Sequence, residues 1–519
     1  MKKYIFLFFI ALFSISANAD SSGECGDGVT YTYITSTKTL TISKTGEGTG
    51  AMNNYRISGS NASPWNKYRD NIQTIDVKLG VTYIGENSFF YCNATSVTIG
   101  ESVTSIGYGA FYGCKKITNL TIPNSVVEIG GSAFSGLEAL QSLVIPESVT
   151  SIGEGAFATC FKLQSVTLPN TITEIKNNTF YACISLNDVE IHDGVTTIGK
   201  GAFEDCEKLN NITIPNSVST IKVNAFKNCT GLKKVNINNL VNWCRIDFGD
   251  NGNPLYYAHS LYLNNNVVHE LTIPQEIDEI KSSVFSGFSE LQAVNIGSSV
   301  TSIGDNAFSE CTSLQEITIP QNVMSIGTYA FSGCTKLKNV SLPSIDVIRS
   351  YAFFNCTNLQ DIIIPNGVKK IELGAFQGCT RLKKIVIPSS VKVIELSAFC
   401  YCMKITDVFC YAMNPPVHNS YYKKDVAHMF VESSFKTATL HVPVAAIGNY
   451  QDNNEYPWCD FGSIVALTDD DTSISSIEKQ RSCSKYYTLE GYQTVSLQKR
   501  ILIVKTGEGL VKKVIVNKK

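Results

Sequence analysis

Apolar residues recur along this chain in one pattern that repeats about every 23 residues. A phenylalanine marks each copy, and successive ones are 23 residues apart, or 22 in two cases, except across one gap of 59. These landmark residues are Phe89, Phe111, Phe134, Phe157, Phe180, Phe203, Phe226, Phe285, Phe308, Phe331, Phe353, Phe376 and Phe399. A constant period in this range is typical of stacked repeats that cannot bury their own apolar sides individually. The pattern therefore predicts a repeat solenoid over about residues 72–412.

Each copy reads C-x-x-L-x-x-V-x-I-P-x-x-V-x-x-I-x-x-x-A-F, as in residues 206–226. The alternation in V-x-I predicts a short strand with one buried face, and the following proline ends its pairing. V-x-x-I is expected to be a second extended stretch, and the Ala-Phe segment a single helical turn. We expect the strands to stack in parallel into one long curved sheet, with Gly153, Gly199, Gly304 and Gly327 at positive φ in the bends.

This repeat resembles that of the BspA-like leucine-rich repeat family, also called the Treponema pallidum type. Representative copies are L-Q-S-V-T-L-P-N at residues 163–170 and V-T-S-I-G-D-N-A-F-S-E-C at residues 300–311. The resemblance extends over about two-thirds of the chain. It implies a right-handed leucine-rich repeat solenoid at a bacterial surface that binds host or microbial proteins or glycans.

The N-terminal residues have the pattern of an export signal followed by a cap. Lys2 and Lys3 precede an apolar run over residues 4–15 and a small-residue cleavage site, which predicts a signal peptide over residues 1–19. Residues 20–71 are predicted to cap the first coil with a β-hairpin and a buried Trp65. No later stretch has the roughly 20 apolar residues that a transmembrane helix requires, so we expect an exported protein without membrane insertion.

The C-terminal residues predict a second cap and a separate small module. Residues 413–467 resemble the closing module of the same family, and residues 468–482 read as an acidic linker. Residues 483–519 are predicted to form a small β-domain that resembles the C-terminal sorting domain of the Bacteroidetes type IX secretion system. A simple terminal β-domain is the alternative interpretation.

Cysteine follows the landmark phenylalanine by three residues in most copies. The cysteines at this position are Cys92, Cys114, Cys160, Cys183, Cys206, Cys229, Cys311, Cys334, Cys356, Cys379 and Cys402. Leu137 and Phe288 replace it, which indicates a small buried apolar side chain. Stacked coils would place adjacent Cα atoms about 4.8 Å apart, but parallel Cβ vectors do not favour disulfides. The pattern favours free thiols over a bridged ladder.

Composition and motifs exclude several classes of function. The formal net charge of −2 provides no overall basic field for nucleic acid. The chain contains no Gly-x-Ser-x-Gly elbow, P-loop, His-Glu-x-x-His motif or dinucleotide fingerprint. We therefore expect neither an enzyme nor a cofactor or metal site, and favour a binding or adhesion protein. A structural or self-associating surface scaffold is the alternative.

The outward residue of each V-x-I strand is the first candidate contact surface. In most copies it is polar, but the last three copies carry Ile363, Val386 and Phe409, and Tyr411 extends this row. Contiguous apolar side chains on an outward face often mark an interaction site. We predict that these four residues contribute to partner binding. The alternative is that the C-terminal cap covers them.

The interruption between Phe226 and Phe285 is the second candidate surface. It contains two apolar runs that flank three asparagines, which predicts an inserted hairpin at about residues 238–270. Insertions in solenoids often lie on the binding face. Its aromatic residues, which could stack on sugars or a protein partner, are Trp243, Tyr256, Tyr257 and Tyr262. The alternative is that they form a small core beneath the hairpin.

Overall fold

The computed structural model describes residues 20–417, 429–451 and 457–468, together with the backbone of four short strands nearer the C terminus. The predicted signal peptide, most of the linker and most of the C-terminal module lie outside the described residues. The chain forms a solenoid in which successive coils stack their strands in parallel. Each coil has three sides, which are a strand of the first row, a strand of the second row and a turn that carries the landmark phenylalanine.

The first row is formed by the V-x-I segments, which pair in parallel with one another and alternate buried and outward residues. Its strands are Thr74–Val77, Ser96–Thr98, Ser142–Val144, Ser165–Thr167, Asp188–Val189, Asn211–Ile214, Lys234–Ile237, Leu261–Leu263, Glu270–Thr272, Ala293–Asn295, Glu316–Thr318, Asn339–Ser341, Asp361–Ile363, Lys384–Ile387, Asp407–Cys410, Thr439–Val442 and Ser463–Ala466. The single long sheet expected from the sequence is instead divided into sheets of three to five strands. The coils remain stacked across such a division, since the Asn210 N–H donates to the Asn187 carbonyl at 3.2 Å.

The second row is formed by the V-x-x-I segments, each of which contributes a strand of only two residues. These strands are Tyr83–Ile84, Ser105–Ile106, Glu128–Ile129, Ser151–Ile152, Glu174–Ile175, Thr197–Ile198, Thr220–Ile221, Asp247–Phe248, Glu279–Ile280, Ser302–Ile303, Ser325–Ile326, Val347–Ile348, Lys370–Ile371 and Val393–Ile394. Their isoleucines point into the core, as the buried Ile152 and Ile303 show.

The landmark phenylalanines stack on one another along the axis of the solenoid. Phe308 and Phe331, for example, have centroids 5.4 Å apart and nearly parallel rings. In the turn around each ring, successive backbone N–H groups donate alternately to the next coil and within the turn. The residues two before and two after the phenylalanine have positive φ, as Asn178 and Ala182 do around Phe180. The Phe180 N–H therefore donates to the next coil, at Ala202 O, whereas its neighbours donate within their own turn.

Gly153, Gly199, Gly304 and Gly327 do not have positive φ, contrary to the sequence-based expectation. They are required for a different reason, which is close approach between coils. A Cβ atom on Gly153 would lie 2.2 Å from the backbone nitrogen of Gly131 in the preceding coil. A side chain at these positions would therefore force the coils apart.

Both ends of the apolar core are covered. At the N terminus, strands Ser21–Gly26, Val29–Ile34 and Thr39–Lys44 form an antiparallel sheet, and the last of these pairs in parallel with the first coil. The first of the three strands was not predicted. The 3₁₀ turn Asn66–Tyr68 follows the fully buried Trp65, whose indole N–H donates to Ser88 O at 2.8 Å.

The C-terminal cap continues the first row with its last two strands. The 3₁₀ turns Ser434–Thr437, Val444–Ala446 and Trp458–Asp460 and helix Ile447–Gln451 lie beside these strands. The Trp458 ring meets Phe430 edge-on and its N–H donates to Pro416 O at 3.0 Å. Further along the chain, strands Lys485–Tyr487, Gln493–Thr494, Leu502–Lys505 and Val511–Val514 form an antiparallel sheet.

Candidate binding surfaces

The outward column of the first row is exposed over most of the solenoid. Its exposed members are Thr98, Thr121, Val144, Thr167, Glu190, Thr213, Thr272, Asn295, Thr318 and Ser341. Threonine, serine and asparagine predominate in this column, whereas the first outward position of the strands also holds charged residues such as Glu270 and Glu316. This face offers hydrogen-bonding groups along a row of stacked strands, with no convergence of titratable side chains.

The four residues predicted as an apolar patch do not form one exposed surface. Val386 and Phe409 are buried, with 6% and 5% of their surface exposed, and Ile363 and Tyr411 are half-buried. The Phe409 ring stacks on His441 of the cap strand Thr439–Val442, with centroids 4.2 Å apart. This geometry favours the alternative interpretation, in which the cap covers the patch.

Polar side chains surround the covered ring of Phe409. The Lys384 ammonium lies 4.4 Å from the ring centroid, and His441 Nε2 is 3.1 Å from a carboxylate oxygen of Asp407. Strand register explains this grouping, because Phe409 lies directly opposite Val386 on one side and His441 on the other. The contacts hold the cap on the last coil.

Trp243 belongs to the core and not to the surface. Asn239 caps helix Leu240–Cys244, with its side-chain oxygen accepting from the backbone N–H groups of Val241 and Asn242. The helix directs Trp243 inward, where only 1% of its surface is exposed and its indole N–H donates to Val284 O at 3.1 Å. Its ring lies 5.1 Å from Phe248, so this residue fills the core where the repeat is interrupted.

The three tyrosines of the insertion occupy two places. Tyr256 and Tyr257 both lie on the short helix Leu255–Ala258, with ring centroids 5.3 Å apart. Tyr256 is exposed, whereas Tyr257 is half-buried and burial raises the pKa of its hydroxyl to about 12. Tyr262 lies apart from this pair, on strand Leu261–Leu263.

Tyr262 lies in the outward column of the first row, directly opposite Asn236. The Lys234 ammonium is 4.5 Å from the Tyr262 ring centroid and 2.9 Å from the Asn265 side-chain oxygen. Asn236 is buried there by the hairpin turn, since it accepts from the Asn265 N–H at 2.9 Å. Sequence reasoning missed Lys234 and Asn265, because only the register of the inserted hairpin brings them to Tyr262.

A groove over the second row, beside the insertion, is occupied by ion pairs. It is lined by Lys200, Lys222, Asp247 and Phe248, among others. Lys222 pairs with Glu174 at 3.4 Å, and Asp247 pairs with Lys281. Two of the three charged residues that line this groove, Lys222 and Asp247, are therefore neutralised locally.

The column of cysteines is not a reactive site. The sixteen cysteines within the described residues are all free thiols. In the column they donate to the carbonyl of a phenylalanine in the preceding coil, as Cys114 does to Phe89 O at 3.0 Å. Burial raises the pKa of Cys92 and of Cys379 to about 12, so these thiols stay protonated at neutral pH and are poor nucleophiles.

Within the described part of the chain, no helix is long and apolar enough to cross a membrane. The same residues contain no group of three or more His, Cys, Asp or Glu side chains arranged to hold a metal ion.

Comparison with known families identifies the repeat. The profile of the BspA type leucine rich repeat region matches residues 66–160, 128–247, 258–346 and 339–451, which together exceed half of the chain. No curated protein sequence matches this chain.

Solved structures of bacterial leucine-rich repeat proteins are similar to this chain. A protein from Bacteroides ovatus is 26% identical, covers 70% of this chain and 94% of its own, and has a TM-score of 0.44. One from Eubacterium ventriosum is 25% identical, covers 80% of this chain and 95% of its own, and has a TM-score of 0.37. A leucine rich cell surface protein from Faecalibacterium prausnitzii is 26% identical, covers 76% of this chain and 95% of its own, and has a TM-score of 0.32.

Proposed function

Because this chain belongs to the BspA-type leucine-rich repeat family, we propose that it is an exported, surface-attached binding module. Its partner is a protein or glycan of a host or of a neighbouring microbe. Members of this family are bacterial surface proteins, and leucine-rich repeats generally bind protein partners. No catalytic step is part of the proposal.

The observation that carries the proposal is the outward face of the first row, with Tyr262 near its middle. This face is exposed and polar over many coils, so a partner can contact it without unfolding any element. Tyr262 beside Lys234 adds an aromatic ring with a hydrogen-bonding hydroxyl, a type of side chain that is enriched at the energetic centres of interfaces. Tyr262 itself is half-buried, and Tyr256 provides an exposed contact in the same insertion.

Binding of the full chain to an array of extracellular matrix proteins and glycans tests the proposal. We expect Tyr262→Ser to weaken binding of the recognised component by about tenfold or more, as loss of an interface hot spot does. Tyr108→Ser is the matched control, because Tyr108 is an exposed tyrosine on the phenylalanine turn. Absence of binding to every arrayed component, or an equal effect of both variants, would refute the proposal.

Export is proposed from the N-terminal and C-terminal sequences. The secreted protein should begin at Asp20 after signal removal, and deletion of residues 483–519 should prevent its display if they form a sorting domain. N-terminal sequencing and surface labelling of the two forms measure these outcomes. Unchanged display of the truncated chain would leave the terminal residues as a simple β-domain.

Self-association as a surface scaffold is the second candidate function. Strand Ser463–Ala466 is the last of its five-stranded sheet, and Val465 on it is exposed. An open strand edge can pair with another chain. A concentration-dependent shift to larger species in size-exclusion chromatography would support the scaffold, whereas a stable monomer would favour the binding module.

A further inference from the structure

The loop that leads into the first row carries a cluster of cations in the last coils of the solenoid. In most coils this loop has an exposed or half-buried residue on either side of a buried leucine or isoleucine. In the coils that begin at Cys334, Cys356, Cys379 and Cys402, these flanking positions hold five cations, which we call the basic edge: Lys336, Lys338, Arg381, Lys383 and Lys404. All five are exposed.

Backbone hydrogen bonds hold these positions in register from coil to coil. The Gln360 N–H donates to Lys338 O at 3.3 Å, and the Lys383 N–H donates to Gln360 O at 2.8 Å. Lys338 and Lys383 are therefore two coils apart, about 9–10 Å, with an amide side chain between them. The other flanking position follows the same order, with Asn358 between Lys336 and Arg381 and an Arg381 Nη1–Asn358 Oδ1 distance of 2.6 Å.

The basic edge is not neutralised by the surrounding residues. Residues 334–410 contain ten Lys or Arg and five Asp or Glu. Three of these acids pair with cations of the second row, as Glu395 does with Lys370 at 2.6 Å. None of the five edge cations is in an ion pair within the described residues.

Four acids border the basic edge without interrupting it. Asp361 and Asp407 lie one position further along the sheet strands, and His441 contacts Asp407. Glu310 and Glu432 lie on the turns before and after these coils. The corresponding loops nearer the N terminus differ, because Glu138 and Glu207 lie among their cations and Lys115 pairs with Glu138 at 2.8 Å.

We propose that the basic edge binds a linear anionic polysaccharide that carries sulfate or carboxylate groups. Cations at regular intervals along the stack, separated by amides that can donate hydrogen bonds, complement a polymer with regularly spaced anionic groups. A nucleic acid fits less well, because no aromatic side chain lies at the flanking positions of these coils for base stacking. This surface is distinct from Tyr262, and the inference stands whether or not the first-row face binds a partner.

Binding of the full chain to immobilised heparin, with neutral dextran and duplex DNA as comparison probes, tests this inference. We expect binding to heparin and not to dextran, with loss of binding near 1 M salt, where the screening length falls to about 3 Å. Binding to DNA as tight as that to heparin would overturn the assignment to a polysaccharide. Failure to bind heparin at low salt would overturn it as well.

Two matched quadruple variants distinguish binding at the basic edge from attraction to positive charge elsewhere on the protein. The variant K336Q/K338Q/R381Q/K383Q is expected to bind heparin about tenfold more weakly or worse, because four exposed charge contacts are removed. The control K116Q/K162Q/K208Q/K233Q removes the same charge from equivalent exposed positions in earlier coils and should bind like the parent chain. An equal loss in both variants would overturn the proposed site. Tyr262→Ser should leave heparin binding unchanged, which separates this result from a failure of the first-row face.

Discussion

At the scale of single residues, the core depends on two columns, the landmark phenylalanines and the cysteines three positions later. Both are almost completely buried, and the thiols of the second column from Cys114 onward donate to backbone carbonyls, as Cys183 does to Phe157 O and Cys334 to Phe308 O. Replacement of cysteine by Leu137 and Phe288 in two coils shows that the position selects an apolar group of adaptable size. The buried thiols are therefore structural, and their titration is coupled to folding.

We predict that the protein loses stability at alkaline pH because these thiols cannot ionise while buried. The pKa of Cys92 and Cys379 rises from an ordinary value of 9.0 to about 12. The unfolded state therefore releases protons first, so this contribution is complete below about pH 9 and declines as pH rises towards 12. Urea denaturation midpoints across this range measure the effect.

The double variant Cys92→Ala/Cys379→Ala provides the control for alkaline unfolding. Its stability should fall less steeply with pH than that of the parent chain, by at most about 1.4 kcal/mol per pH unit for each thiol removed. Identical slopes for the two proteins would show that other groups cause the alkaline loss.

At the scale of elements, the insertion replaces the missing repeats as part of the stack. Strand Leu261–Leu263 continues the first row beside Lys234–Ile237, and Asp247–Phe248 continues the second row. Helix Leu240–Cys244 connects Lys234–Ile237 to Asp247–Phe248 and supplies Trp243 to the core. The insertion is thus an irregular coil that also presents Tyr256 to solvent.

We predict that Trp243→Ala destabilises the protein by about 3–5 kcal/mol, because a buried indole is lost and the Val284 carbonyl loses one of its two donors. Tyr256→Ala should cost about 1 kcal/mol or less, because Tyr256 is largely exposed. Urea denaturation followed by circular dichroism compares the two variants. A stable Trp243→Ala protein that has lost partner binding would instead assign Trp243 to recognition.

At the scale of the whole molecule, the stack of phenylalanine rings has two sections. One extends from Trp65 and Phe89 to Phe226, and the other from Phe285 to Phe430 in the C-terminal cap. Each coil in a solenoid is stabilised mainly by its immediate neighbours. We therefore expect the two sections to unfold as separate cooperative units, with the insertion as the boundary between them.

We predict that Phe134→Ala and Phe353→Ala, one in each section, affect different calorimetric transitions. Each removes a fully buried ring, with an expected cost of about 3–5 kcal/mol, and should lower the midpoint of its own section by about 10 °C. Differential scanning calorimetry of the full chain with each variant measures this. A single transition that both variants shift equally would show that the insertion transmits folding between the sections.

Candidate contact residues were harder to predict than the core, because exposure depends on distant parts of the chain. Phe409 has the outward position that its strand pattern predicts, yet His441 from the cap covers its ring. The pattern cannot indicate this, because the cap strand that carries His441 does not follow the 23-residue period of the repeats. The basic edge was missed for a related reason, because the cations of its different coils lie one or two repeats apart in sequence and become neighbours only through coil stacking.

The sequence by itself determined the repeat, the inward position of its phenylalanines, leucines and isoleucines, and the parallel stacking of its strands, because a fixed period of apolar residues allows few other ways to bury them. Only the tertiary structure decided that Gly153 is needed for close contact between coils, that Trp243 lies in the core and that the cap covers Phe409. These features depend on distances between coils and on which surfaces meet. Such contacts join residues far apart in the chain, so they leave no local period in the sequence.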